Sequence, residues 1–243
     1  MILDPVFEAR VDLAAALRWA ARLGLHEGVC NHFSLLVPGT TDRFLLNAHG
    51  LHWSEATASG LCVVDLDGNP LEGSNPPEPT AFFIHSRVHQ ANPRAACVLH
   101  THMPYATALT LLETPRLEML HQNALRFFGQ VAYDEDYNGL ALDTAEGDRI
   151  AAAMADKRVG FLANHGVLVT GPTVADAFDD LFYLERACQL QVLAYSTGRP
   201  LKPVRQDVAA ATFAQFERER VNAQHHFRAL KRILDREEPE YRC

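Results

Sequence analysis

The sequence lacks the signals of several protein classes. No apolar run approaches the roughly 20 residues that cross a bilayer, and the start, MILDPVFEAR, has no basic segment followed by an apolar one, so we expect no secretory signal peptide. The chain has 22 Lys and Arg against 30 Asp and Glu, a net charge of −8, whereas a nucleic-acid-binding protein needs a basic face. These absences predict a protein that binds neither membranes nor nucleic acid.

Cysteine is also sparse and scattered. Five cysteines occur in the chain without any CxxC pair: Cys30, Cys62, Cys97, Cys188 and Cys243. An odd number at irregular spacing fits neither a disulfide framework nor a zinc ribbon. We therefore expect a reduced, cytoplasmic protein.

No linker rich in Pro, Gly or Ser divides the chain, and we find no internal repeat. Its 243 residues are 48% hydrophobic, which is enough for one well-filled core. We predict one domain over residues 1–203. Residues 204–243 are predicted to form a helical C-terminal extension that packs on the same domain or on a neighbouring subunit.

Helical and strand-like segments alternate along the chain. Apolar residues recur at helical spacing over 8–23, 79–90 and 173–198, and again over 208–234, as one long helix or two. Short apolar runs predict strands: HFSLLV, RFLLN, LCVVDL, AACVLHTH, QVAYDEDY and VGFLANHGVLVTG. This mixture predicts an α/β or α+β domain.

Histidine is abundant, with twelve in the chain. His100 and His102 end an apolar run and, as residues i and i+2 of a strand, would project from the same face. His165 follows a second apolar run and precedes Gly166, whose missing side chain permits a turn or a close approach. The two strand-end histidines could simply face water. With a third, they could form a three-nitrogen metal site with open positions, as in catalytic centres.

In order, the motifs NHFS, HTH and NHGV, followed by a long capped helix, resemble the class II aldolase/adducin family over roughly residues 10 to 200. The resemblance implies a three-layer fold with a central, mainly antiparallel sheet flanked by helices. It implies a divalent metal held by His100, His102 and His165, with zinc favoured over manganese, cobalt or iron. It also implies a small-molecule substrate and a homo-oligomer, commonly a tetramer.

The chain departs from the aldolase branch of that family at the acid/base residue. Family aldolases carry a glutamate nineteen residues before the first histidine of the HxH motif, and that position is Ala81 here. Glu78 is the nearest carboxylate and our candidate catalytic residue, although a glutamate before a helix commonly serves only the helix dipole. His85 is a second catalytic candidate, as a proton carrier or fourth ligand; a histidine hydrogen-bonded between helix and sheet is the competing interpretation.

The phosphate pocket of the family is altered as well. By the resemblance, Asn31 and the turn His49-Gly50 bind substrate, but the family's Ser-Ser pair is Pro79-Thr80 here. Proline offers an anion neither a hydroxyl nor an N–H, so only Thr80 remains as a candidate there. This departure from the family's pocket favours a non-phosphorylated substrate.

Other side chains near the family's pocket positions have open roles. His32, His49 and His121 could each pair with a carboxylate or lie on the surface. The family's proton-donating tyrosine falls near Gln122, and Tyr133 and Tyr137 are candidates to replace it.

We therefore predict a metal-dependent carbon–carbon lyase, an aldolase or decarboxylase, acting on a small carbonyl or carboxylate compound through a metal-stabilised enolate. Two alternatives remain. One is a non-haem Fe(II) oxygenase on the same three histidines. The other is a non-catalytic, adducin-like assembly module.

Overall fold

A computed structural model describes residues 4–72 and 78–243, so the predicted domain start at residue 1 lies outside the described residues. Within these ranges the chain forms seven α-helices: α1 (Pro5–Arg22), α2 (Pro79–Ala91), α3 (Pro104–Thr110), α4 (Thr144–Met154), α5 (Val174–Tyr195), α6 (Gln206–Arg218) and α7 (Val221–Glu237). It also forms eight strands: β1 (His32–Leu36), β2 (Arg43–Leu46), β3 (Cys62–Asp65), β4 (Pro70–Glu72), β5 (Cys97–Thr101), β6 (Val131–Asp134), β7 (Val159–Leu162) and β8 (Gly166–Gly171).

The strands form one open sheet in the order β4-β3-β2-β1-β5-β8-β7-β6. Neighbouring strands pair antiparallel except β6 and β7, which are parallel. The crossover between these two is α4, as expected because parallel neighbours need a long connection. The prediction of a central, mainly antiparallel sheet is confirmed.

Helices cover both faces of the sheet, which gives the predicted three layers. On one face α2 packs against α4, and the pair contacts β1, β5, β6 and β7. On the other face α1, α3 and α5 pack together with α7 over the main hydrophobic core. The predicted boundary at residue 203 stays a prediction, although α7 packs on α5 and α1 of its own chain.

Side chains alternate between these two faces along the central strands β1 and β5. Phe33, Leu35, Cys97 and Leu99 point into the main core. The intervening residues lie on the face that α2 covers: His32, Ser34, Val98 and His100. The period of two therefore places several polar side chains between the sheet and α2.

Helix starts follow their capping chemistry. Thr173 Oγ1 accepts a hydrogen bond from the N–H of Asp176 at 3.1 Å, which confirms the predicted start of α5. Glu78 caps α2 in the same way by accepting from the N–H of Ala81.

The segment predicted as a single strand over 159–171 is instead a hairpin. β7 and β8 pair antiparallel, and residues 163–165 form the turn between them. Asn164 has a positive φ of 55°, a conformation that asparagine tolerates better than most residues. The predicted helical segment at the C-terminus is two helices, α6 and α7. None of the described helices is long and apolar enough to span a membrane.

Candidate metal centre and cavity

His100 lies at the centre of the sheet, on β5 between β1 and β8. Its Nδ1 is 3.1 Å from the carbonyl oxygen of Val167. A carbonyl can only accept, so Nδ1 carries the proton and Nε2 keeps a lone pair. The hydrogen bond thus sets the ring's tautomer and prepares its other nitrogen for a ligand.

His102 follows the end of β5 and contacts a carboxylate. Its Nδ1 lies 2.6 Å from Oε2 of Glu27, and its Nε2 is buried with no hydrogen-bond partner among the described residues. Metal-binding histidines commonly donate their second nitrogen to a carboxylate in this way. Glu27 therefore occupies the place of an orienting partner.

His165 comes from the turn between β7 and β8. That turn packs tightly on the end of β5, because a Cβ added at Gly166 would lie 2.6 Å from the carbonyl oxygen of Thr101. The glycine thus permits the close approach that brings His165 beside the other two histidines. We name His100, His102 and His165 the open cluster.

The three rings of the open cluster converge. Their centroids are separated by 5.0 Å (His100 to His102), 4.7 Å (His100 to His165) and 4.9 Å (His102 to His165). One ring nitrogen from each lies within 4.8 Å of the others. The structure brings together the three histidines predicted as ligands.

Burial and neighbouring histidines lower the pKa of two rings in this cluster, those of His100 and His165. Burial, together with the other histidines, holds the pKa of His100 well below its usual range. Burial and His102 lower the pKa of His165 to about 4. Both rings are therefore neutral at physiological pH, the form that coordinates a metal.

The open cluster lies on the wall of a cavity of about 280 Å³. Apolar side chains line one side, and the polar lining includes Asn31, His32, His49, Glu78, Thr80 and Tyr137. Neither lysine nor arginine occurs in the described lining. The cavity can therefore surround a small molecule but offers no fixed cation to an anion.

Glu78 and His32 form a pair inside the cavity. His32 Nε2 is 3.1 Å from Oε2 of Glu78, and the same oxygen accepts from the hydroxyl of Thr80 and from the N–H of Ala81. Burial alone would raise the pKa of Glu78, but the hydrogen bonds from His32, Thr80 and Ala81 outweigh it and lower the pKa to about 2. Glu78 is therefore an ionised carboxylate at neutral pH.

Asn31 connects the cavity wall to the open cluster. Its φ is +77°, and its Oδ1 accepts from the N–H of His102 at 3.2 Å. Its Nδ2 is buried without a hydrogen-bond partner among the described residues. A buried amide of this kind is a donor available to a bound molecule.

Two predicted site residues lie apart from the cavity lining. Gly50 has a φ of +80° beside the lining residue His49, but does not itself line the cavity. His85 is fully buried behind His32, and their ring centroids are 5.8 Å apart. Neither residue contacts the open cluster.

His85 belongs to a second group, which we name the sealed group: Ser34, His85 and His89. The Oγ of Ser34 lies 2.6 Å from Nδ1 of His85 and 2.8 Å from Nε2 of His89, while Nδ1 of His89 lies 2.7 Å from the carbonyl oxygen of Ala95. Since that carbonyl only accepts, His89 donates to it, Ser34 donates to His89, and His85 donates to Ser34. Burial lowers the pKa values of both histidines, to about 4 for His89.

The two tyrosines considered as proton donors lie in different places. Tyr137 lines the cavity, with its ring centroid 6.3 Å from that of His165. The hydroxyl of Tyr133 accepts from the N–H of Leu117, and Tyr133 packs against the main core instead. Of the two, only Tyr137 lies where a bound molecule could reach it.

Sequence reasoning left two further residues without a role. His32 was only one of several histidines that could pair with a carboxylate, and its position at the start of β1 was the available signal. Glu27 was missed altogether, because it lies 75 residues from His102 and belongs to no motif.

Comparisons with known proteins agree with this geometry. The family described as Class II Aldolase and Adducin N-terminal domain matches residues 11–192. A Caulobacter vibrioides protein whose name assigns it provisionally to aldolase class 2 is 40% identical over 79% of this chain and 75% of its own length. Human beta-adducin is 32% identical over 84% of this chain, which corresponds to 30% of adducin. The crystal structure of an aldolase II superfamily protein from Pseudomonas syringae superposes with a TM-score of 0.91 at 35% identity, covering 100% of this chain and 98% of that one.

Proposed function

The chain belongs to the class II aldolase and adducin family, and on that premise we propose that it is a divalent-metal-dependent carbon–carbon lyase. Its reaction would be of the aldolase or decarboxylase type, on a small, non-phosphorylated carbonyl or carboxylate compound. The observation that carries the proposal is the open cluster on the wall of a cavity.

The residues of the open cluster fit a divalent metal. The donors are three imidazoles, which suit zinc and its neighbours in the first transition row. Two of the rings have a carbonyl or carboxylate partner on Nδ1, and the buried Nε2 of His102 has no partner among the described residues. We propose His100, His102 and His165 as the ligands, and zinc as the ion in preference to manganese, cobalt or iron.

A divalent ion held there would stabilise the negative charge that develops on a substrate oxygen as a carbon–carbon bond breaks. The chain's own residues would bind and orient the substrate. The Nδ2 of Asn31 would donate to a substrate oxygen, His49 and Thr80 line the path to it, and Tyr137 is positioned to exchange a proton with a leaving group. Val29, Ile84 and Leu140 would supply apolar contacts to the bound molecule.

The cavity supports a substrate without phosphate. A dianionic phosphate requires several donors and usually a cation, whereas the described lining carries an ionised Glu78 and no lysine or arginine. The cavity volume, about 280 Å³, also lies at the lower end of ligand sites, which span roughly 300–1,000 Å³. Both observations favour a small neutral or singly charged compound.

The similarity to beta-adducin keeps a second function open, namely an assembly module without catalysis. A three-histidine site can also hold Fe(II) for oxygen chemistry. We propose the lyase over the assembly module because this chain, although similar to adducin, retains a complete cluster of three histidines on the wall of a cavity.

We further propose a cytoplasmic location and a homo-oligomer, of the tetrameric kind the family resemblance implies. Support for the location comes from Cys30 and Cys243, which are exposed and form no disulfide. Support for assembly comes from exposed apolar residues near the C-terminal end of α5, Leu190 and Leu193.

The test is metal analysis of anaerobically purified protein, followed by lyase assays with each metal restored to chelated protein. We expect one metal per chain and release of a carbonyl product or carbon dioxide from non-phosphorylated acids or hydroxy ketones. Metal-dependent oxygen uptake would instead identify an oxygenase. Efficient cleavage of sugar phosphates would refute the substrate class, and failure to bind any divalent metal would leave the assembly module.

A further inference from the structure

Glu78 makes unequal use of its two carboxylate oxygens. The donors that hold it, Nε2 of His32, Oγ1 of Thr80 and the N–H of Ala81, all contact Oε2. Among the described residues no donor contacts Oε1. The carboxylate is therefore fixed by one oxygen while the other has capacity to accept hydrogen bonds.

Oε1 of Glu78 belongs to a side chain on the cavity wall. Glu78 lines the same cavity as the open cluster, and its side chain keeps 24% of its surface exposed. The start of α2 and the ring of His32 hold the group rigidly, so little conformational freedom is lost when a ligand hydrogen-bonds to it.

We propose that Oε1 of Glu78 accepts a hydrogen bond from a hydroxyl group of the substrate, which makes the substrate a small hydroxylated carbonyl compound or hydroxy acid. The proposal rests on the proposed function, since it places the carbonyl or carboxylate end of that molecule at the open cluster. In this role Glu78 determines which substrates bind, and His32 and Thr80 are positioning residues that act through it.

A hydroxyl suits this position better than other groups. A phosphate or second carboxylate would meet the negative charge of Glu78 without any lysine or arginine in the described lining to offset it. An ammonium group would be repelled by the divalent ion that the open cluster is proposed to hold. A methyl group would cover this carboxylate oxygen without offering it a donor, which disfavours binding.

The negative charge of Glu78 suits a side chain that accepts hydrogen bonds at every pH in the neutral range. Burial raises its pKa, but the hydrogen bonds that it accepts reverse the effect and lower the pKa to about 2. Glu78 therefore remains an acceptor throughout the neutral range.

Binding of matched small acids to Co²⁺-loaded protein tests the proposal without relying on turnover. The probes are butyrate and its 2-, 3- and 4-hydroxy derivatives, with affinity measured by calorimetry and entry to the metal site by the visible spectrum of Co²⁺. We expect at least one hydroxy acid to bind about tenfold more tightly than butyrate, because hydrogen bonds to a charged acceptor are stronger than those between neutral groups.

The variant Glu78→Gln should reduce that preference to within about twofold, and Glu78→Asn, which also caps a helix well, should do the same. The matched control is Glu135→Gln, a carboxylate outside the cavity lining that pairs with Arg116, and it should keep the full preference. Equal binding of butyrate and every hydroxy acid by the unaltered protein would overturn this inference alone. So would a preference that survives both Glu78 variants. Failure to hold Co²⁺ would instead overturn the proposed function, and this inference with it.

Discussion

Two groups of histidines lie close together in this fold, and they differ in what the protein does with their ring nitrogens. In the sealed group, Ser34 and the carbonyl of Ala95 engage His89 at both nitrogens and His85 at one. In the open cluster the described partners engage Nδ1 of His100 and His102, and nitrogens from the three rings converge beside a cavity. Burial lowers the pKa in both groups, so the difference is not one of charge.

The comparison shows that geometry, rather than residue type or burial, separates a structural histidine from a candidate ligand. His85 and His100 are both fully or almost fully buried. Each ring donates through Nδ1, to Ser34 in one case and to Val167 in the other, and each keeps a lone pair on Nε2. Only His100 lies where ring nitrogens of two further histidines converge. We expect changes in the sealed group to alter stability and changes in the open cluster to alter metal binding.

The largest expected effect is that of His165→Ala on metal affinity. Removing one of three donors should weaken Zn²⁺ binding by more than about a hundredfold, beyond the 10–100-fold usual for an orienting partner. The unfolding free energy of the metal-free protein should change by less than about 1 kcal/mol, because the turn that carries His165 is partly exposed. Chelator competition and urea unfolding measure the two quantities.

His121→Ala is the control for this variant, since its ring lies outside the described cavity lining and accepts a hydrogen bond from the N–H of Asn123. Its affinity for Zn²⁺ should match that of the unaltered protein. If His165→Ala kept normal affinity for Zn²⁺, His165 would not be a ligand, and the proposed site would have only two histidine donors.

Acid should destabilise the sealed group. A lowered pKa means that the native state keeps His89 neutral while the unfolded chain takes up a proton near pH 6.5. Stability is therefore complete above pH 6.5 and is lost as the pH falls toward the folded-state pKa of about 4. At about 1.4 kcal/mol per pH unit, this histidine alone contributes a loss on the order of 3 kcal/mol.

The variant His89→Leu removes that contribution, together with the smaller effect of His89 on the pKa of its neighbour His85. The unfolding free energy of this variant should be lower at neutral pH. Between pH 6.5 and 5 it should fall less steeply with pH, because unfolding then takes up as much as one proton fewer. Urea unfolding at several pH values gives the slope. An unchanged slope would mean that His89 is protonated in the native state, contrary to its hydrogen bond with Ser34.

Much of the fold followed from local pattern. The short apolar runs HFSLLV and AACVLHTH predicted β1 and β5, and the start of α5 followed from Thr173 and Asp176. The hairpin at 163–165 was not anticipated, because a continuous apolar run is equally consistent with one strand or two short ones. Its turn depends on the positive φ of Asn164 and on the close packing of Gly166 against the end of β5. Both features depend on tertiary structure and cannot be predicted from the local sequence.

The candidate site was likewise predictable from the sequence only in part. The three histidines of the open cluster were predictable from two motifs and a resemblance. The contacts of Glu27 and His32 were not, because they join segments 75 and 46 residues apart. The role of His85 stays a prediction, but its position behind His32 shows that helical spacing alone does not indicate which way a histidine faces.

The smallest expected effect is that of Glu27→Gln on metal affinity. Glu27 contacts the open cluster through His102 but does not belong to it. Glu27→Gln keeps an oxygen near Nδ1 of His102 but removes the charge that favours the ligand's electron-donating tautomer. Zn²⁺ affinity should fall about tenfold, the lower end of the effect of losing an orienting carboxylate. Stability should hardly change, since the side chain of Glu27 is 67% exposed. Chelator competition measures the Zn²⁺ affinity of this variant and of His165→Ala side by side. A loss of affinity as large as that of His165→Ala would make Glu27 a ligand itself. No loss of affinity would make its contact with His102 incidental.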